Sequence, residues 1–261
     1  MSYLIKHLKR DFPGSHGTLG MRVDPAPLSL AINAVTSDEI KNLTKAKNQI
    51  TELLKCPVIT AGALMPDTCP AGNAPATIPV GGAIAVDNAI IPAAHSSDIC
   101  CSLHATFFPS DLPVAELMDS LQSVTRFGPG GRKQDDYVHH PVLDEDVWDN
   151  PFLSRLQQKA AMHMVDQGDG NHFAYLGEIS ITAELLSVLS ENGQTELSEQ
   201  LSTHTALKVL VTHHGSRGLG SALYTRGLDA AIKHTRKHAK EIPSEAAWLS
   251  MDTQQGQNYW E

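Results

Sequence analysis

The sequence predicts a mixed α/β fold of the α+β kind, on three observations. Short β-type apolar runs occur at Ala89-Ile90-Ile91-Pro92-Ala93-Ala94 and Lys208-Val209-Leu210-Val211-Thr212. Segments of helical period stand between such runs, for example Ile40, Leu43, Ile50, Leu53 and Leu54. The two types interleave without the regular count of a βαβ array. At 261 residues the chain has room for one large core or two modest ones, and a single domain over 1–261 is the expectation.

The elements follow in order. Thr36-Ser37-Asp38-Glu39 reads as a capping box, opening a helix that ends near Lys55. Cys56 to Ala61 reads as a strand. Met65-Pro66-Asp67 opens a Pro/Gly-rich passage that runs to Pro79. Gly81 to Asn88 and the apolar run from Ala89 read as two buried strands with a turn at Asp87-Asn88, and Leu103 to Phe108 as another strand. Pro113 to Val124 has Val114, Leu117, Met118 and Leu121 on one helical face. Phe127-Gly128-Pro129-Gly130-Gly131-Arg132 is a flexible turn, and the acidic stretch Asp144 to Asp149 is solvated. Pro151 starts a helix through Leu153 to Met164. Ile179 to Leu201 is helical with a break at Asn192-Gly193. Lys208 to Thr212 is a strand presenting His213 at its end, and a basic helix spans about Ala222 to Lys240.

Composition limits function. Hydrophobic residues make up 41% and charged residues 19%, as in ordinary globular proteins. A net charge of −9 argues against a general nucleic-acid coat, although a local basic pocket is compatible with it. No apolar stretch reaches the roughly 18–20 residues of a membrane span, and Met1 to Arg10 lacks a signal-peptide core. The expectation is therefore a protein with no membrane association. Four cysteines, two of them adjacent (Cys100 and Cys101), make a poor disulfide framework. Free thiols or a metal thiolate in a reducing cytoplasm are expected.

Three short motifs carry chemistry. Asp98-Ile99-Cys100-Cys101 sets a carboxylate and a thiol three residues apart after an apolar run, a hard and a soft ligand for a borderline metal. Taken alone, the motif reads more readily as a turn-capping Asp and a buried Cys, with Cys100 the better core candidate. Gly170-Asn171-His172-Phe173 combines a turn glycine, an amide donor and an imidazole; an exposed loop is the competing reading. His213-His214-Gly215-Ser216-Arg217-Gly218 is a Gly-rich passage into a helix, suited to an anionic oxygen. A plain turn with a solvated Arg217 would look the same. His139-His140 reads as surface. Asp67 and Cys69 are at most support for a site. Neither a Gly-x-Ser-x-Gly elbow nor a Cys-x-x-Cys pair occurs.

In their order along the chain these motifs resemble those of the RtcB family of RNA-splicing ligases. Asp98-Ile99-Cys100-Cys101 looks like that family's Asp-x-x-Cys, Gly170-Asn171-His172-Phe173 matches its Gly-Asn-His-Phe, and the third is similar to its His-Ser-Gly-Ser-Arg-Gly, with His214 in place of serine. Met65-Pro66-Asp67 and Ile90 to Ala94 also keep the family order. The resemblance implies an RtcB-like fold and a GTP-dependent ligase. Such an enzyme joins an RNA 3′-phosphate or 2′,3′-cyclic phosphate end to a 5′-hydroxyl end in RNA repair or tRNA splicing. It implies two manganese ions (Mn), with Cys101 as bridging thiolate, Asp98 and His172 in one metal shell and His213 in the other. Asn171 would contact the phosphates of GTP, and Arg217 an RNA or nucleotide phosphate.

The departures define the alternatives. The family carries a further metal-binding His and a guanylylated His beyond the Gly-Ser-Arg-Gly motif, and no residue here matches either; His234 and His238 do not. The chain closes at Asn258-Tyr259-Trp260-Glu261, after a segment resembling the family's Glu-Gly-x-x-Tyr. Thr68-Cys69-Pro70 replaces a usual His-x-Gly. The expectation is a member incomplete at the C-terminus, or divergent. The alternatives are a non-catalytic metal- or nucleotide-binding relative and a metal-dependent phosphoesterase working through metal-bound water. A basic face of Arg226, Lys233, Arg236 and Lys237 reads as RNA contact or as a solvated helix surface.

Overall fold

The computed structural model describes residues 8, 11, 12, 14 and 18–261. Apart from Leu8, the segment Met1–Arg10 lies outside them. In chain order the elements are β1 (Leu28–Leu30), α1 (Ser37–Leu53), β2 (Ile59–Cys69), β3 (Val80–Val86), β4 (Ala89–Ile90), β5 (Ser102–Phe108), α2 (Val114–Val124) and β6 (Arg126–Phe127). They continue with α3 (Gln157–Met162), β7 (Asp166–Gly168), β8 (Phe173–Ser180), α4 (Ala183–Glu191), α5 (Thr195–Leu201), β9 (Ala206–His214), α6 (Arg217–Arg236), β10 (Leu249–Ser250) and α7 (Gln254–Trp260). Helices and mainly antiparallel sheets thus make a mixed α+β fold. They form two compact units. The first comprises 1–99, 146–155 and 220–261; the second comprises 100–145 and 156–219.

The first unit is built on α1. Thr36 Oγ1 accepts from the Glu39 N–H at 3.3 Å, and Glu39 Oε2 accepts from the Thr36 N–H at 2.9 Å. This reciprocal pair satisfies orphan donors at the helix start and holds the Glu39 carboxyl below its ordinary range. The buried face is Ala46, Gln49, Ile50 and Leu53, a spacing of three and four residues. Ile50, Leu53, Leu54, Val58, Ile59, Leu64 and Trp248 are all sealed from solvent in one cluster. Its sheet has the order β1-β2-β3, with β1 parallel and β3 antiparallel to β2. A buried Thr235 hydroxyl ties α6 to this core, accepting from the Trp248 N–H at 2.9 Å and donating to the Trp248 carbonyl at 3.1 Å.

The second unit centres on an antiparallel sheet of order β5-β9-β8. Leu103 of β5 and Phe173 of β8 both pair with His213 of β9. Because directly opposed residues share a face, Leu103, His213 and Phe173 lie side by side. That face leaves Leu103, Phe107, Phe173 and Tyr175 exposed. A small parallel pair, β6 with β7, brings the Gly128 N–H to the Gly168 carbonyl at 2.7 Å.

Several expectations are corrected. The passage from Met65 is strand: β2 continues to Cys69, and Pro66 falls where the pairing shifts between Leu64 and Cys69. Proline is tolerated in a strand at such an irregularity. The strand expected from Cys56 starts at Ile59, behind a turn closed by the Ile59 N–H on the Cys56 carbonyl. The turn at Asn88 is present with φ 49°, but the strands flanking it pair elsewhere, β3 with β2 and β4 with β10. Nor is β3 buried; Val80, Ala83, Ala85 and Val86 are exposed. Ile40 of the predicted α1 stripe is exposed as well.

In place of a helix over Leu153–Met164, turns run through Arg155, which has φ 65°, and α3 is only Gln157–Met162. Ile179 belongs to β8, not to a helix; the break at Asn192-Gly193 does separate α4 from α5. The basic helix starts at Arg217 and stops at Arg236. The turn at Phe127–Arg132 is pinned: Arg132 Nε donates to the Met164 carbonyl at 3.1 Å and to Asp166 at 3.0 Å. The acidic side chains of Asp144, Glu145, Asp146 and Asp149 are exposed as expected, on two 3₁₀ turns. Among the described residues no helix is long and apolar enough to cross a membrane.

Candidate metal centre

Cys101 precedes β5 directly, His172 precedes β8, and His213 is the penultimate residue of β9. The sheet order therefore delivers all three to one end of the β5-β9-β8 sheet. Cys101 Sγ stands 2.9 Å from His213 Nε2 and 3.6 Å from His172 Nε2. The three donor atoms lie within 4.8 Å of one another. The rings of His172 and His213 meet edge to face, 5.1 Å between centroids.

The orientation of His213 is set from behind. Its Nδ1 lies 2.9 Å from the Asn171 carbonyl, an acceptor only, so Nδ1 carries the proton and Nε2 offers its lone pair toward Cys101. Metal-binding histidines are oriented in this way. Around a tetrahedral ion with zinc-like bond lengths, sulfur and nitrogen ligands stand roughly 3.5 Å apart. The Cys101–His172 separation already fits that span, and Cys101–His213 fits after opening by about 0.6 Å. One thiol and two imidazoles suit a borderline divalent ion.

Asp98 falls in the first unit, on a bend where its N–H donates to Ser96 Oγ at 3.1 Å. Cys100 is exposed, with φ 88°, and is not a core residue; Cys101 is exposed too. The Asp-x-x-Cys pair therefore lies in the lead into β5, not at the end of the preceding apolar strand. Asn171 uses its main chain on His213 and leaves its side chain at an exposed position.

Arg217 is not a solvated arginine. Its side chain is 13% exposed, 3.3 Å from Asp169 Oδ1 and 3.5 Å from the Gly128 carbonyl, at a residue with φ 53°. Gly168 permits this packing. With φ 119°, a Cβ there would stand 2.3 Å from an Arg217 nitrogen and 2.7 Å from His172 Nδ1. Gly168 thus lets a guanidinium and a cluster histidine close on one point of the backbone.

His139 and His140 are exposed. Asp67 and Cys69 sit on β2 in the first unit. Of the basic face, Lys233, Arg236 and Lys237 are exposed, whereas Arg226 donates to the carbonyls of Phe152 and Ser154. Sequence reading missed one network: Asp166, 6% exposed, lies between Arg132 at 3.0 Å and His163 at 3.5 Å. The three-residue spacing from His163 to Asp166 was its visible signal. Burial is the leading cause that lowers the pKa of His163, offset in part by Asp166.

No family model matches the chain. Over 215 residues it is 26% identical to the RNA-splicing ligase RtcB of Escherichia coli (strain K12). It is also 26% identical, over the same length, to the RNA-splicing ligase RtcB1 of another Escherichia coli strain. Each similarity covers 76% of this chain and 47% of the relative. The chain spans about half the length of the curated relatives it matches.

Proposed function

We propose that this chain is an RtcB-like RNA ligase component, dependent on Mn and GTP, that joins 3′-phosphate or 2′,3′-cyclic phosphate ends to 5′-hydroxyl ends. The observation that carries this reading is the convergence of Cys101, His172 and His213, from three separate motifs, within 4.8 Å. The similarity to two RNA-splicing ligases supports it. Cys101, His172 and His213 hold metal. Manganese, when bound, neutralises charge on a phosphoryl group during transfer. His213 is kept in its ligating tautomer by the Asn171 carbonyl. Arg217, anchored by Asp169 and Gly128, holds a phosphate of the RNA or nucleotide in fixed geometry, and the Asn171 amide contacts the phosphates of GTP. None of the four cysteines forms a disulfide, which suits a reducing cytoplasm.

The test is mass spectrometry after incubation with GTP and Mn. A covalent GMP adduct supports ligation chemistry in this chain. Metal and GTP binding with no adduct means a non-catalytic relative. Phosphodiester turnover without GTP means a phosphoesterase.

A further inference from the structure

The second unit contains a cleft of about 650 Å³ on the other side of β9 from His213. Residues alternate along a strand, so Leu210, Thr212 and His214 line the cleft while Val211 and His213 face away. The volume lies in the range of small-molecule sites. Its walls are of two kinds. Leu121, Val124, Met164 and Leu210 supply apolar surface. The polar groups include Gln167 with Thr125, joined by a 3.1 Å hydrogen bond from the Gln167 amide, and His163 with Arg217; Asp166, which also lines the cleft, is paired with Arg132 and His163.

Two of these polar groups are incomplete. Gln167 Oε1 and Arg217 Nε are buried and make no hydrogen bond among the described residues. Gln167 is 9% exposed, and the Arg217 side chain 13%. Buried polar atoms without partners are uncommon in folded proteins, and their concentration at one cleft marks it as a place where polar ligand groups are received. His163 Nε2 abuts the first turn of α6, 3.5 Å from where a Cβ on Gly218 would sit. The N-terminal amides of that 20-residue helix and the Arg217 guanidinium favour an anion at this end.

We infer that this cleft binds the terminal nucleoside 3′-phosphate of the RNA. The base lies between the apolar walls and is read by Gln167 and Thr125, and the phosphate lies against Arg217 and the start of α6. The inference rests on the reading that the chain acts on RNA 3′-phosphate ends, and it adds a base subsite on the side of β9 away from the metal cluster. Apolar walls alone would fit many ligands. An amide–hydroxyl pair at one part and a cation with a helix N-terminus at another suit a planar polar-edged ring carrying a phosphate.

The experiment is calorimetric titration of the whole chain with adenosine 3′-monophosphate, adenosine and inorganic phosphate. The expected result is that adenosine 3′-monophosphate binds at least tenfold tighter than either part. Val138→Trp, at a half-exposed lining position, fills the cleft and weakens that binding at least tenfold with an unchanged circular dichroism spectrum. Gln167→Leu weakens the nucleotide but not inorganic phosphate. Equal affinity for nucleotide and inorganic phosphate, or full binding by Val138→Trp, would overturn the inference. A protein that forms the GMP adduct yet ignores adenosine 3′-monophosphate retains the ligase reading and loses the cleft. Cleft binding without an adduct does the reverse.

Discussion

The two units divide burial and chemistry unequally. The first concentrates sealed side chains, from Ile50 and Leu64 to Trp248, and cross-ties them with the Thr235 hydroxyl. The second carries Cys101, His172, His213 and Arg217 on a sheet whose one face leaves Leu103, Phe107, Phe173 and Tyr175 open. The lesson is that the residues of the candidate site are positioned by strand register and a few polar ties, not by a deep core. Such regions lie toward the low end of local stability.

That contrast can be broken or sharpened by measurement. Trp248→Ala, in the first unit, should cost about 3–5 kcal/mol by removing a sealed aromatic, read as a lowered urea midpoint. A loss under about 1 kcal/mol would mean that the core is less tightly packed than its burial implies. Cys101→Ala should give the opposite profile, with metal affinity falling at least tenfold and the midpoint of the metal-free protein unchanged. Metal content equal to that of the parent protein would remove Cys101 from the cluster.

Acid should act on both units, and more on the first. His95 and His234 there, and His163 in the second, are each held by burial below the ordinary histidine value of 6.5. The neutral forms are thus favoured by folding. Their contribution is present above pH 6.5 and is lost as pH falls through that unfolded value toward the lower folded ones. Thermal melts from pH 7.5 to 5 should show declining stability, with His234→Gln flattening the decline; a stability rising toward acid would refute the assignment. The smallest effect is at the cap. Thr36→Ala removes the hydroxyl that receives the Glu39 N–H and should cost about 1 kcal/mol, measurable in the same urea titration.

Much of this was legible in the sequence where the signal is local. The capping box of α1, the turn at Asn88, the break at Asn192-Gly193 and the strand at β5 depend on neighbouring residues and appear where they were expected. The cluster was legible because each motif carries a thiol or imidazole beside a strand, and pairing brings the strand ends together. Features that depend on distant partners were not. Strand β8 begins directly after His172, and the helical reading of Ile179 conceals the end of its run Phe173–Ser180. Pro66 signalled a loop, whereas β3 holds it in a strand irregularity. In the Arg132–Asp166–His163 network the His163–Asp166 spacing is local, but no local pattern connects Arg132, from the glycine-rich turn, to Asp166.

One contact has a kinetic consequence. The Asn171 carbonyl that receives the His213 proton belongs to the residue just before His172. The two imidazoles are thereby coupled, one on β9 and one at the tip of the loop leading into β8, through a single peptide unit. A shift of this loop would disturb both imidazoles at once, since the movement that displaces His172 also removes the acceptor that orients the His213 ring. The exchange rate of an ion held by both rings would therefore be sensitive to this one hydrogen bond.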